Sequence, residues 1–241
     1  MTTLFISDLH LEASRPEIGE QLIKFLKKEA PGADALFILG DLFETWIGDD
    51  DPDPYHATIQ SALGSVVKTG TPVFFMHGNR DFMIGKNFSV ETGVQLLPDP
   101  FVLGLYGKDV LLSHGDAYCT DDVEYQAVRT MTRNPQWQAM MLQKSLQERR
   151  AFADQSRANS EAHGEAINEE ISDVNVTAIE EAMRSHNVRL MVHGHTHRPA
   201  VHAQTVNGLS AKRIVLGDWH EHGSVLRWDQ RGPQLRALLR S

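Results

Sequence analysis

Six short apolar runs recur along this chain, and each is bounded by glycine or polar residues. They lie at residues 3–7, 35–39, 72–76, 109–113, 189–192 and 213–216. Four or five apolar residues between turn signals are typical of buried strands. Helix-like segments at 16–30 and 55–70 separate the first three runs, and Gly70 is expected to end the second helix. This order predicts an α/β fold in which parallel strand–helix–strand units are followed by hairpin strands of a second sheet.

Composition bounds the class of protein. With 241 residues, 41% of them hydrophobic, residues 1–241 are expected to form a single domain with an insertion. The formal net charge of −9 argues against nucleic acid as a partner. Cys119 is the one cysteine, which excludes an intramolecular disulfide and fits a reducing cytoplasm. Asp8 and His10 interrupt the N-terminal apolar run, so neither a signal peptide nor a membrane-spanning segment is expected.

Residues 121 to about 175 differ from the rest, because they lack strand patterns and are rich in Gln, Arg, Ala and Glu. They predict two or three helices inserted into the α/β core; we call this segment the insertion. Its basic side chains are Arg129, Arg133, Lys144, Arg149, Arg150 and Arg157. Apolar residues are interleaved with them, among them Trp137 and Phe152. Composition leaves two interpretations open, a helical subdomain packed on the core or a lid over a molecule that is both apolar and anionic.

Metal-ligand residue types follow five of the apolar runs directly. They are Asp8 and His10, then Asp41, then Asn79, then His114, and finally His195 and His197. Because the carboxyl ends of parallel strands lie at one edge of a sheet, these side chains are expected to converge. Carboxylate, amide and imidazole donors without thiolate suit manganese, iron or zinc. Seven such groups are about right for two ions, which together can clamp a phosphoryl transfer, and Asp41 is the candidate bridge between them.

This pattern resembles the calcineurin-like metallophosphoesterases, whose signature runs Asp-x-His, Gly-Asp, Gly-Asn-His-Asp, His and Gly-His-x-His. The matches lie at 8–10, 40–41, 78–81, 114 and 194–197. The resemblance implies a four-layer α/β/β/α sandwich with the insertion as a helical lid. It also implies two metal sites that share Asp41. One takes Asp8, His10, Asp41 and His197, and the other takes Asp41, Asn79, His114 and His195.

Longer segments resemble one branch of this family, which hydrolyses UDP-2,3-diacylglucosamine in lipid A synthesis. They lie at 5–12, 39–52, 77–82, 113–126 and 193–199. The resemblance implies two Mn²⁺ ions, with iron or zinc as alternatives, and attack of water on the α-phosphorus to give lipid X (2,3-diacylglucosamine 1-phosphate) and UMP. It further implies peripheral association with the anionic cytoplasmic face of the inner membrane, and no protein partner. The alternatives are a dinuclear-metal enzyme acting on another nucleotide or phosphodiester, and a non-catalytic metal-bound scaffold.

The resemblance also implies roles for individual residues. The catalytic residues would be Asp41, Asn79, Arg80 and His195, and the substrate-binding residues Asn79, Arg80, Asp122, Ser160 and His195, joined by Tyr125 and Arg157. Helix capping is the alternative role for Asp122 and Ser160. Gly164 and Ile167 stand where the branch has a polar residue and a lysine, so a cation is missing where the resemblance implies a phosphate or uridine contact. Asp81 is expected either to orient Arg80 or to cap the next helix.

Position 80 departs from the superfamily, which mostly has a histidine there as a proton donor. Arg80 stays charged at neutral pH, so it binds negative charge but does not protonate a leaving group. A sugar 1-phosphate, with a second pKa of about 6, leaves without protonation. This substitution therefore favours cleavage of a diphosphate over that of an alkyl monoester.

Overall fold

The computed structural model describes residues 2–166 and 173–239, with the side chains of residues 161 and 163–166 excepted. The strands in this part of the chain are β1 (Thr3–Ile6), β2 (Ala35–Leu39), β3 (Val73–Met76), β4 (Gln95–Leu97), β5 (Phe101–Leu105), β6 (Lys108–Leu112), β7 (Leu190–His193), β8 (Ala200–Val206), β9 (Leu209–Val215), β10 (Gly223–Asp229) and β11 (Gly232–Leu238). The α-helices are α1 (Pro16–Lys28), α2 (Pro54–Lys68), α3 (Lys86–Thr92), α4 (Val123–Thr132), α5 (Pro135–Leu142), α6 (Leu146–Ala166) and α7 (Val176–Ser185). A short 3₁₀ turn, Asp116–Tyr118, follows β6.

These strands form two sheets. The first has the order β11-β10-β1-β2-β3-β4, and the second β5-β6-β7-β9-β8. Strands β1 to β4 run parallel, as do β6, β7 and β9. All six apolar runs expected to be strands are strands. The sequence did not predict the β10–β11 hairpin, which joins the first sheet rather than the second by pairing antiparallel to β1.

Successive side chains of a strand point to opposite faces of its sheet, and both faces are covered by another layer. In β1, Leu4 and Ile6 pack against the helices, whereas Phe5 faces the second sheet, where it contacts a core that includes Val192 of β7. Both faces are apolar, so these strands appear in the sequence as unbroken apolar runs. Full burial of a side chain such as Phe5 stabilises the fold by about 1.5–3 kcal/mol.

Helices cover both outer faces. Helix α1 begins at Pro16 and buries Ile18, Leu22, Phe25 and Leu26 against the first sheet. Helix α2 ends at Lys68, and Gly70 follows with φ of 94°, in agreement with the expected helix end. On the far side, α7 packs against the outer face of the second sheet. The result is the expected four-layer α/β/β/α sandwich.

The insertion contains α4, α5 and α6 in its described part. Its aromatic residues Trp137 and Phe152 pack against the core. The ring centroid of Trp137 lies 6.1 Å from that of Phe82 and 5.4 Å from that of Phe152. Gly164 lies in the last turn of α6, and Ile167 lies outside the described residues, so neither expected change in substrate contacts is visible. Among the described helices, none combines the length and apolarity needed to cross a bilayer.

Candidate metal centre and substrate cleft

The loops after β1 and β2 run side by side beyond the ends of their strands. The backbone N–H of His10 donates to the carbonyl oxygen of Asp41 at 3.0 Å, and that of Leu11 to Leu42 at 3.0 Å. Farther along, the N–H of His195 donates to the carboxylate of Asp8 at 3.0 Å, which links the two sheets. These backbone contacts bring the separate motifs of the sequence to one end of the sandwich.

Five of the seven candidate metal ligands have left-handed backbone conformations. They are Asp8 (φ 56°), His10 (50°), Asp41 (50°), His195 (69°) and His197 (55°). For residues other than glycine such conformations cost on the order of 1–3 kcal/mol each and concentrate at functional sites. The strain therefore marks the same residues that the sequence pattern singles out.

Two glycines allow the loops to approach each other. A Cβ on Gly78 would overlap the carboxylate and backbone nitrogen of Asp41, and one on Gly194 would overlap Ser7 and Asp8. The glycines of the Gly-Asn and Gly-His motifs are therefore required, because no larger residue fits at these positions.

The first cluster consists of Asp8, His10 and His197, each of which places a donor atom within 4.8 Å of the others. The Nε2 atoms of His10 and His197 are 3.2 Å apart, and Nε2 of His197 is 3.5 Å from Oδ1 of Asp8. The hydroxyl of Ser7 donates to Oδ2 of Asp8 at 2.5 Å, which fixes the carboxylate. Three donors of this kind face one small volume.

The second cluster consists of Asp41, His114 and His195, again with donor atoms within 4.8 Å of one another. Asn79 joins it, because its Oδ1 lies 2.9 Å from Nε2 of His114 and 2.9 Å from Nδ1 of His195. The other ring nitrogen of His114 contacts the carbonyl oxygen of Leu39 at 2.8 Å, so its Nε2 is directed into the cluster.

Asp41 lies between the clusters. Its Oδ2 is 3.7 Å from Nε2 of His10 in the first cluster and 3.7 Å from Nε2 of His114 in the second. Its Oδ1 accepts the backbone N–H of Arg80 at 2.8 Å, which holds Oδ2 toward both histidines. Carboxylate, imidazole and amide donors in two adjoining groups fit a pair of divalent ions of the manganese, iron or zinc type.

The electrostatics of the clusters favour cations. Burial by itself lowers the pKa of His114, but the carboxylates of Asp41 and Asp116 outweigh it and raise the pKa to about 9. Burial and the neighbouring His114 lower the pKa of His195 to about 4. Although burial opposes the change, His197 lowers the pKa of Asp8 below its ordinary value. The Asp8 carboxylate therefore stays ionised, and a divalent cation would neutralise its charge.

Asp81 has a role that neither expectation anticipated. Its Oδ2 accepts the N–H of Leu42 at 2.7 Å and its Oδ1 that of Gly78 at 2.8 Å, so it ties together the loops after β2 and β3. Burial and the carboxylate of Asp41 raise the pKa of Asp81 to about 7. The carboxylate is committed to these backbone contacts rather than to Arg80 or the start of α3.

Asp116 connects the insertion to the strand ends. This fully buried carboxylate accepts hydrogen bonds through Oδ2 from the Tyr125 hydroxyl at 2.9 Å and from Nε of Arg129 at 2.9 Å. Nη2 of Arg133 lies 3.5 Å from the same oxygen and donates to the carbonyl of Gly78 at 2.9 Å. Helix α4 is therefore anchored beside the second cluster.

Two further carboxylates lie behind the histidines, and sequence reasoning missed both. Oε2 of Glu44 is 2.6 Å from Nδ1 of His10, and Oδ2 of Asp218 is 3.6 Å from Nδ1 of His197. Asp218 follows the sixth apolar run, so the pattern of metal-ligand residue types after the other five runs extends to it. Glu44 lies within a loop and carries no such signal. Although burial raises it, the contacts with His10 and Arg80 lower the pKa of Glu44 overall.

A cleft of about 430 Å³ opens beside the second cluster. Its apolar lining comes from the insertion and from the loops after β2 and β3. These apolar residues are Trp46, Ile47, Phe82, Met83, Val128, Met131, Trp137, Met141, Phe152 and Ala153. Asn79, Arg80 and several further arginines also line it. The insertion thus packs on the core and forms one wall of a cavity.

Arg80 faces this cleft from the strand-end loop. Nη1 of Arg80 is 3.8 Å from Oε1 of Glu44, and its side chain is 21% exposed. Its Nε is buried and has no hydrogen-bond partner among the described residues. A buried donor without a partner is costly, so an anionic ligand at this position would satisfy it.

The candidate substrate residues of the insertion divide into two groups. Tyr125, Arg157 and Ser160 line the cleft. Arg157 also contacts Glu12, with Nη1 lying 3.3 Å from Oε2. Asp122 does not line the cleft; its side chain accepts the N–H of Tyr125 at 2.9 Å and caps α4.

Comparison with known proteins gives a consistent result. Residues 1–199 match the family described as calcineurin-like phosphoesterase. A protein of Stenotrophomonas maltophilia (strain K279a) is 49% identical over 247 residues, covering 100% of both chains. A protein of Salmonella agona (strain SL483) is 52% identical over 227 residues, covering 94% of this chain and 95% of its own. A solved archaeal phosphodiesterase has a TM-score of 0.51 at 12% identity and covers 99% of this chain and 100% of its own, a likeness of fold.

The chain therefore belongs to the calcineurin-like phosphoesterase family, as its motifs predict. The two bacterial relatives are more specific: both are named UDP-2,3-diacylglucosamine hydrolase, and both align with the chain over nearly its whole length. The branch expected from the longer motifs is thereby confirmed as the group of proteins to which this chain is similar.

Proposed function

We propose that the protein hydrolyses the diphosphate of UDP-2,3-diacylglucosamine to lipid X and UMP, a step of lipid A synthesis. The relatives that carry this name support the proposal through their identity of about half along the chain. The observation that carries it is the cleft, in which aromatic rings and arginines, Arg80 among them, line one cavity together with Asn79. A substrate with two acyl chains and a diphosphate needs both kinds of wall in one place.

We further propose that the two clusters hold two Mn²⁺ ions, with iron or zinc as alternatives of similar ligand preference. One ion is assigned to Asp8, His10, Asp41 and His197, and the other to Asp41, Asn79, His114 and His195. When bound, such a pair supplies an activated water and stabilises the attacking and leaving oxygens at the α-phosphorus.

Four residues are proposed to act at the reacting phosphate. Asp41 holds the clusters at a fixed separation, because one of its oxygens faces both. Asn79 and His195 orient the second cluster and border the phosphate. Arg80 stays protonated and holds negative charge through the reaction, in the position where a proton donor is usual. The sugar 1-phosphate, with its second pKa of about 6, leaves as an anion without needing that donor.

The rest of the substrate is proposed to contact the insertion. Tyr125, Arg157 and Ser160 line the cleft. Asp122 caps the start of α4, so any contact that it makes with the substrate would come from that capping position. The aromatic pair of Trp137 and Phe152 is assigned to the acyl chains. In this proposal the chain is a single domain, and the insertion is its lid.

Release of UMP tests the proposal directly. The purified protein, loaded with Mn²⁺, is given UDP-2,3-diacylglucosamine and, in parallel, an unacylated UDP-sugar. We expect rapid release from the acylated substrate and slow release from the other. Absence of UMP with both metals bound would overturn the proposal. Equal rates would favour a diphosphatase of broader specificity, because the apolar wall would then contribute nothing.

The variant Arg80→Ala is expected to lower kcat/KM by about 10²–10³, the usual cost of removing one charge-stabilising donor. Metal stoichiometry should stay unchanged, because the Asp41 contact uses the backbone N–H and not the guanidinium. Arg80→Lys is the matched variant, and it should recover only part of the loss since an ammonium lacks the planar fork. Loss of a metal in Arg80→Ala would mean that the side chain supports the clusters instead.

Peripheral association with the cytoplasmic side of the inner membrane is also proposed. The basic residues of the insertion contribute less than their number suggests, since all six pair with carboxylates. The support comes from exposed apolar side chains on α4 and α5, including Val123 (74%), Met140 (51%) and Leu142 (46%). Vesicle flotation should show binding that Met140→Glu weakens, whereas Val90→Glu on α3, 72% exposed, should not. Equal weakening by both would refute this surface.

A further inference from the structure

Glu44 is held beside the first cluster by its backbone. Its N–H donates to the carbonyl oxygen of Leu11 at 3.1 Å, and Phe43 forms a parallel bridge with Leu11. The loop after β2 therefore continues to pair with the loop after β1 for several residues. This pairing fixes the start of the Glu44 side chain next to His10, before any side-chain contact is made.

One oxygen of Glu44 orients a candidate metal ligand. Oε2 lies 2.6 Å from Nδ1 of His10, so this ring nitrogen carries the proton and donates it to the carboxylate. In the neutral ring the opposite nitrogen, Nε2, is then the acceptor, and it faces His197 and Asp41 at 3.2 and 3.7 Å. Carboxylate partners of this kind set the tautomer and direction of metal-binding histidines in many proteins.

The other oxygen of Glu44 faces the cleft. Oε1 lies 3.8 Å from Nη1 of Arg80, and Glu44 itself lines the cleft with its side chain 12% exposed. Arg80 thereby has a carboxylate on one side and open cavity on the other. Because the contact between Glu44 and Arg80 is long, an incoming phosphate can bind the guanidinium without first breaking a tight ion pair.

We propose that Glu44 is a positioning residue whose single carboxylate holds His10 for the first metal ion and Arg80 for the substrate phosphate. The inference rests on the proposed function, since it presumes a dinuclear site and an anionic substrate. It adds a physical link between the two, because the same side chain contacts a metal ligand with one oxygen and the anion-binding group with the other.

A purely structural role would be to pack the two loops together. The loops are already joined by backbone hydrogen bonds, and the Glu44 side chain contributes polar contacts to functional residues instead of apolar contacts to the core. The two roles differ in what they predict: packing loss lowers thermal stability, whereas positioning loss lowers metal affinity and alters kinetics at a given stability.

Metal binding by the full-length protein is measured first, as Mn²⁺ equivalents and affinity by calorimetry after removal of metal. For Glu44→Ala we expect the affinity of one equivalent to fall about 10–100-fold while the other is retained. Glu44→Gln should lose less, because its amide oxygen still accepts from His10. Glu12→Gln is the matched control. Glu12 also pairs with a cleft arginine, Arg157, but its ion-pair partners among the described residues are Arg15 and Arg157 and not a candidate metal ligand, so metal binding by this variant should equal wild type.

Kinetics at saturating Mn²⁺ then test the second part of the proposal, that Glu44 positions Arg80. Glu44→Gln has one oxygen and cannot serve both partners, so kcat/KM should fall even with both metals bound. In an Arg80→Ala background the same substitution should cost nothing further, because its target is gone. Circular dichroism and thermal unfolding confirm that each variant is folded, and Glu44→Gln keeps the experiment informative where Glu44→Ala does not fold.

The outcomes separate the inference from the proposed function. Wild type that binds no divalent metal overturns the proposed site, and the inference with it. Wild type that binds two equivalents, with Glu44→Ala equal to it in both affinities, overturns the inference alone. A kcat/KM loss that persists undiminished in the Arg80→Ala background refutes the link to the phosphate-binding arginine.

Discussion

The variant Asp116→Asn tests whether the insertion is anchored electrostatically to the end of the sandwich. Asp116 is 0% exposed and contacts two arginines, Arg129 and Arg133, whose side chains are 22% and 20% exposed. Removal of one partner from a buried ion pair costs about 3–5 kcal/mol. Because both arginines can regain some water, and the amide still accepts a bond from Tyr125, we expect a loss nearer 2–3 kcal/mol. For a chain of this size that lowers the Tm by about 4–12 °C.

Urea unfolding and differential scanning fluorimetry, both without substrate, measure this loss. Glu181→Gln is the matched control, because it breaks an exposed pair with Arg184 that should contribute little. A double-mutant cycle with Arg129→Gln should give a coupling energy of about 1–2 kcal/mol. An Asp116→Asn protein with the unfolding free energy of wild type would refute the anchoring role.

The pH dependence has a definite sign. Burial raises the pKa of Asp116, but His114 and the two arginines outweigh it and hold the pKa well below its ordinary value of 3.8. A group with a lowered folded pKa contributes stability that is complete above the unfolded pKa and lost as the pH falls through the folded one. The Asp116 contribution to the difference in unfolding free energy between wild type and Asp116→Asn should therefore shrink in acid, below about pH 4. The difference should also shrink as the pH rises from 6.5 to about 9, because Asp116 helps to raise the pKa of His114 to about 9 and that contribution is lost when His114 releases its proton.

Two further variants probe the clusters and the cleft. Asp41→Ala should lose both metal equivalents, because Oδ2 of Asp41 lies 3.7 Å from a histidine of each cluster, whereas His10→Ala should lose one. Equal metal stoichiometries in the two variants would argue against Asp41 as the bridge. Trp137→Ala removes a ring packed between Phe82 and Phe152 and should raise KM for the diacylated substrate by roughly 5–20-fold, for about 1–2 kcal/mol of lost apolar contact. An unchanged KM would place the acyl chains elsewhere.

Much of the fold follows from local pattern. Strands buried on both faces must be apolar at every position, so β1, β2 and β3 are recognisable from four or five residues. The β10–β11 hairpin was not recognised, because Ser224 and Arg227 shorten the apolar run of β10 to Val225 and Leu226, and because β10 lies far in sequence from its partner β1. Pairing over such a separation leaves no local trace in the chain.

The ligand types were predictable for a different reason. The loops after the strands hold carboxylates and imidazoles in strained left-handed conformations, and they have glycine neighbours. Motifs such as Gly-Asp and Gly-His-Thr-His contain both the glycine and the donor residue, so they are recognisable in the sequence. Glu44 carries no comparable mark. It lies in an ordinary loop sequence, and only its approach to His10, 34 positions away, distinguishes it.

The sequence by itself determined six of the strands, the donor types, the charged residue at position 80 and the family, because each is recorded in short motifs of neighbouring residues. The tertiary structure decided that the motif loops come from two sheets rather than one, that Asp41 Oδ2 faces both clusters, and that Asp81 joins backbone loops. It also decided that the arginines of the insertion are paired, that Asp116 anchors α4, and that Glu44 touches both His10 and Arg80. These are distances between residues remote in sequence, which only the packing of the two sheets and the insertion brings together.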